Sequence, residues 1–86
     1  MKYLIVAFRS RTESLKMKEI LSRKGYGAEI INTPKEAKVG CGLSVKTYAE
    51  NFAAVKYFAS YYGFKTTAGY FYYEGGAGGK LKAVYP

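Results

Sequence analysis

The feature that most constrains this chain is a pattern that occurs twice: a β-prone apolar run, a helical stretch, then a second β-prone run. Residues 2–8, KYLIVAF, read as a first strand. Ser10 and Glu13 follow with capping-box spacing, S-x-x-E, which predicts a helix to about Lys24. Its inward stripe is Ser14, Met17 and Leu21 with the adjacent Ile20, and Gly25 is its stop. Residues 27–32, GAEIIN, form a second strand that Thr33 and Pro34 end, because proline cannot donate to a sheet ladder.

The second half repeats the order. Residues 35–40 are a loop or single turn, and 41–46, CGLSVK, read as a third strand with Leu43 and Val45 on one face. Thr47 and Glu50 repeat the capping spacing, so a second helix is expected to about Tyr62, with Phe52, Val55, Ala59 and Tyr62 inward and Gly63 as stop. Residues 66–73, TTAGYFYY, make a fourth strand. Two strand–helix–strand units with right-handed crossovers predict an α+β fold of the ferredoxin-like βαββαβ type. Four antiparallel strands would carry both helices on one face. Residues 1–73 are expected to be this domain. Residues 74–86 are then a Gly-rich C-terminal tail, either flexible or an added edge strand.

Missing residue types narrow the chemistry. The chain has no His, Asp or Trp and a single Cys. A Ser-His or Cys-His dyad is impossible, and so is an imidazole base. One Cys and six Glu cannot make an ordinary zinc, iron–sulfur or transition-metal site within one chain. No cofactor and no metal are expected. A single thiol forms no intrachain disulfide, which fits a reducing cytoplasmic setting. The N-terminal apolar run is too short for a signal peptide or a membrane span. The net charge is +8, which draws the protein toward anions, but the lysines and arginines are spread rather than blocked.

The thiol is the one chemically distinctive group. Cys41 lies between Gly40 and Gly42, which strip side-chain cover from the sulfur and leave backbone N–H groups approachable. Lys35, Lys38 and Lys46 are near in sequence, with Glu36 as the only close acid. That field favours thiolate, and each pKa unit needs only about 1.4 kcal/mol. The competing reading is a buried thiol that packs as a small hydrophobe.

The run TPKE from Thr33, a short spacer, then Cys41-Gly42-Leu43 and a small-apolar-basic strand resembles the selenium/sulfur carrier protein-like family. The resemblance covers roughly residues 2–70. It implies a carrier or accessory protein rather than a stand-alone enzyme. Cys41 would hold sulfur or selenium as a persulfide or selenosulfide, and Thr33, Pro34, Lys35 and Glu36 would shape the loop around it. Its partners would be donor and acceptor proteins. Lys35 stands where the family pattern has Arg, which loses bidentate anion binding. Persulfide transfer needs an exposed thiolate but no base, metal or second cysteine.

Two rival readings remain. The first is an interaction module: Tyr3, Ile5, Tyr70 and Tyr72 on an open sheet face would form an apolar patch and support a homodimer or higher oligomer through that face or an edge. The second is nucleic-acid binding, with Tyr3, Tyr70 and Tyr72 stacking bases. The third strand, CGLSVKTY, lacks the aromatic pattern such modules use, which counts against it.

Overall fold

The computed structural model describes residues 2–37, 42–74 and 80–84. Strand β1 (Lys2–Phe8) is followed by helix α1 (Arg11–Arg23) and strand β2 (Ala28–Asn32). A 3-10 turn at Lys35–Ala37 precedes strand β3 (Leu43–Tyr48). A second 3-10 turn at Ala49–Asn51 leads into helix α2 (Phe52–Tyr61), then strands β4 (Thr67–Glu74) and β5 (Lys80–Val84). The sheet order is β2-β3-β1-β4-β5 and all pairs are antiparallel.

The ferredoxin-like expectation of four strands is therefore incorrect: the sheet is five-stranded, in a mixed α+β protein. The fifth strand pairs with β4 over Tyr70↔Val84 to Glu74↔Lys80. Its alternation explains why it docks. Leu81 packs with Ile5, Ala37 and Phe71, while Lys80 and Lys82 stay exposed. The GGAGG stretch expected to be a turn, residues 75–79, lies outside the described residues.

Central β1 shows why its sequence has no polar alternation. Leu4, Val6 and Phe8 face both helices and pack with Met17, Leu21, Val45, Val55 and Phe58. Ile5 and Ala7 are buried on the other face with Phe71 and Ala37. A strand covered on both faces reads as a continuous apolar run.

Helix α1 forms as its spacing predicts. Ser10 is extended and its hydroxyl accepts from the Glu13 N–H at 3.3 Å, and Ser14, Met17 and Leu21 are its buried residues. The predicted start of the second helix does not hold. Thr47 stays in β3, paired with Leu4 and Ala28, where it is buried. Its hydroxyl donates to the Gly27 carbonyl and accepts from Asn51 Nδ2. The buried positions of α2 are Val55 and Phe58, whereas Tyr62 is exposed.

The expected open-face patch is also corrected. Register puts Phe71 and Tyr73 on the face of Ile5 and Tyr3, and Tyr70 and Tyr72 on the helix face. There Phe52 meets the rings of Tyr70 and Tyr72 edge-on, at 5.2 and 6.0 Å. Burial pushes the Tyr70 phenol pKa up, against a hydrogen bond with Thr67 that lowers it. Ile5 is 2% exposed. Neither a tyrosine platform for bases nor the proposed apolar patch is present in that form.

Candidate functional site

The site begins where β2 ends. Asn32↔Leu43 is the last pair of the β2–β3 ladder. Past it, the Thr33 N–H donates to the Gly42 carbonyl at 2.9 Å, and the Thr33 and Ser44 hydroxyls meet at 2.7 Å. These bonds close the neck of the loop that holds Cys41. Cys41 itself lies outside the described residues, as do Lys38 and Gly40.

Gly42, the residue after the thiol, is exposed with φ +102°, and no atom lies within 4 Å of where a Cβ would stand. Space is not the reason for glycine here. The backbone angle is, since L side chains rarely adopt it. The entry of the chain into β3 at Gly42 is thus set by a hydrogen-bonded neck and a left-handed residue.

The Thr33–Pro34–Lys35–Glu36 stretch has a structural role as well. The Ala37 N–H donates to the Pro34 carbonyl at 3.0 Å, closing the 3-10 turn. That turn lays Ala37, 7% exposed, against Ile5, Ala7 and Phe71. The loop is therefore anchored across the sheet face that the helices leave free. Lys35 is exposed, and Glu36 lies within the turn.

Lys46 faces the same side. Its Nζ lies 3.7 Å from Glu29 Oε1 and 4.2 Å from the centroid of the Tyr3 ring. With Pro34, Ile5, Ile31 and Tyr73 it lines a cavity of about 310 Å³. The structure thus brings Pro34 and Lys46 to one cavity, and Thr33 and Gly42 to one neck.

Sequence reading placed Ser14 on the inward stripe of the first helix but gave neither it nor Ser44 a role here. Ser14 is buried in α1, and its hydroxyl lies 3.1 Å from the Leu43 carbonyl and 3.3 Å from that of Ser10. It ties the first turn of α1 to Leu43 at the entry of β3, so the positive end of that helix lies beside that entry. Ser14 interrupts the apolar stripe of α1, which was the available signal, because a buried hydroxyl needs a partner; Ser44, flanked along its own face by Gly42 and Lys46, carried no such signal.

A neighbouring bond set holds the same end together. The Glu13 carboxylate accepts from the N–H groups of Lys65 and Thr66 and from the Thr66 hydroxyl. Partial desolvation raises its pKa. The Thr66 and Lys65 bonds and the Lys16 charge outweigh this and hold the carboxyl below its ordinary range.

Residues 2–70 match the family model described as "Putative Se/S carrier protein-like". The chain belongs to this family. The match spans the loop neck, both helices and the first four strands as far as Tyr70. No curated protein and no solved structure matches it. The family description speaks of a selenium/sulfur carrier and singles out no residue. Among the described residues, no group of three or more His, Cys, Asp or Glu could hold a metal ion. No helix among them is long and apolar enough to cross a membrane.

Proposed function

We propose that this protein carries sulfur or selenium on the Cys41 thiolate and passes it to a partner protein. The observation supporting this most is the tied neck. Thr33, Ser44 and Gly42 hold the chain one residue from the only cysteine of a member of a Se/S carrier-like family. The first turn of α1, joined to Leu43 through Ser14, adds a positive potential beside the entry of β3.

In the loading step the Cys41 thiolate attacks the outer sulfur of a donor persulfide. A bond forms between Sγ and that sulfur, the donor's S–S bond breaks, and the donor leaves as a thiolate. In the unloading step an acceptor thiolate attacks the same outer sulfur and Cys41 leaves as thiolate. Each step is an exchange, so no oxidant, metal or second cysteine of this chain is required. Selenium transfer follows the same balance with a selenosulfide.

The test is intact-mass analysis after incubation with a cysteine desulfurase and cysteine, alongside Cys41→Ala. A reducible gain of one sulfur atom in the native chain and none in the variant is expected. No gain, with Cys41 slow to alkylate in the folded protein, would assign the thiol to packing.

A further inference from the structure

We propose that the outer face of α2, together with the groove between its end and α1, docks an acidic segment of a partner protein through aromatic or aliphatic anchors. The inference does not depend on the thiol chemistry.

The first observation is three tyrosines whose rings stay largely in solvent, with Phe58 behind Tyr57 and Tyr62. Tyr57, Tyr61 and Tyr62 are 61%, 69% and 37% exposed, while the core-facing side of α2 is supplied by Val55 and Phe58. Large apolar rings left in water at neighbouring helical positions are the raw material of interface hot spots. They are also held in place before any partner arrives. Tyr57 and Tyr61 stack at 5.8 Å and 17°, Tyr61 meets Tyr62 edge-on at 4.9 Å, and Phe58 braces Tyr62 at 6.3 Å. Rings already ordered lose little freedom on binding.

The second observation is charge. Lys16, Arg23 and Lys24 line a groove of about 250 Å³ with Glu19, Ile20 and Tyr62. That sets three cations against one carboxylate, and Glu19 is already paired with Arg23 at 2.6 Å. An occupant that complements this groove is acidic.

Tyrosines and cations together also suit single-stranded nucleic acid, which needs free ring faces for its bases. Here Tyr57 and Tyr61 cover each other, and Tyr62 closes on Tyr61. One face of each stacked ring is taken, which leaves fewer free faces for bases than three separate rings would offer. The geometry favours a protein segment.

The test uses fluorescence anisotropy on the full chain with three labelled probes: a random copolymer of Glu and Tyr, polyglutamate, and oligo-dT. The variants are Tyr57→Ala/Tyr61→Ala and Arg23→Glu/Lys24→Glu, each checked for native circular dichroism. The Glu/Tyr copolymer is expected to bind and to lose about tenfold in affinity in each variant. Polyglutamate should bind more weakly and respond only to the charge reversal. Failure of the copolymer to bind, or binding untouched by the tyrosine pair, overturns the proposal. Tighter binding of oligo-dT with the same dependence on both variants would also overturn it and reassign the face to nucleic acid.

Discussion

At Gly42 the backbone angle alone decides the residue. With φ at +102° and open space around it, a methyl group clashes with no neighbour but forces an L residue into a left-handed conformation. Gly42→Ala is expected to lower stability by about 1–2 kcal/mol. Urea denaturation checks this, and an unchanged midpoint would mean the neck relaxes without strain. Glu13 gives a second residue-scale prediction. Its folded-state pKa is depressed, so its contribution is present above the ordinary carboxylate range and lost as pH falls through its folded pKa. Acid titration of the native chain should show a stability loss below about pH 4 that Glu13→Gln flattens. The cap itself was legible in S-x-x-E, since Ser10 accepts from the Glu13 N–H. The destination of the Glu13 side chain was not legible, because Lys65 and Thr66 are brought to it only by the packed sheet.

Element ends follow from partners more than from local spacing. Thr47 and Glu50 have the same spacing as Ser10 and Glu13, yet Thr47 remains in β3. Two strands flank it, and its hydroxyl joins the Gly27 carbonyl to the Asn51 amide in a buried position. A ladder with neighbours on both sides outweighs the prospect of a capped helix, so β3 continues and a 3-10 turn intervenes. Thr47→Val keeps the shape and the β-branch but takes its partner from the buried Asn51 amide, while the exposed Gly27 can turn to water. It is expected to cost about 1–2 kcal/mol. A thermal melt matching the native chain would mean that water reaches Asn51 as well. The facing of β4 has the same origin. Tyr70 to Tyr73 are alike in sequence, so nothing local says which pair meets the helices. Pairing with β1 puts Tyr70 beside Val6 and Tyr72 beside Leu4, which turns both toward Phe52.

At the scale of the whole molecule, the strand–helix alternation was readable because amphipathic periods are local, while the fifth strand depends on a free sheet edge. KLKAV is short and follows a glycine-rich stretch, so by itself it predicts little. Against the open side of β4 it becomes useful, because Leu81 reaches the cluster of Ile5, Ala37 and Phe71. The family match ends at Tyr70, so this strand belongs to the part of the chain beyond the shared pattern. Its job is visible in what it covers: β4 carries four consecutive aromatic residues, and β5 occupies its outer edge with lysines exposed at positions 80 and 82. Lysine on an edge strand discourages further pairing, whereas a bare aromatic edge invites it. A chain truncated after Glu74 is therefore expected to melt at lower temperature and to associate at micromolar concentration in light scattering. The same truncation should leave Cys41 labelling by a thiol reagent faster, since Leu81 helps seat the Ala37 turn that anchors the loop. A truncated chain with native melting and unchanged mass would show that β4 tolerates its own edge, and that the loop is held by the Thr33–Ser44 neck alone.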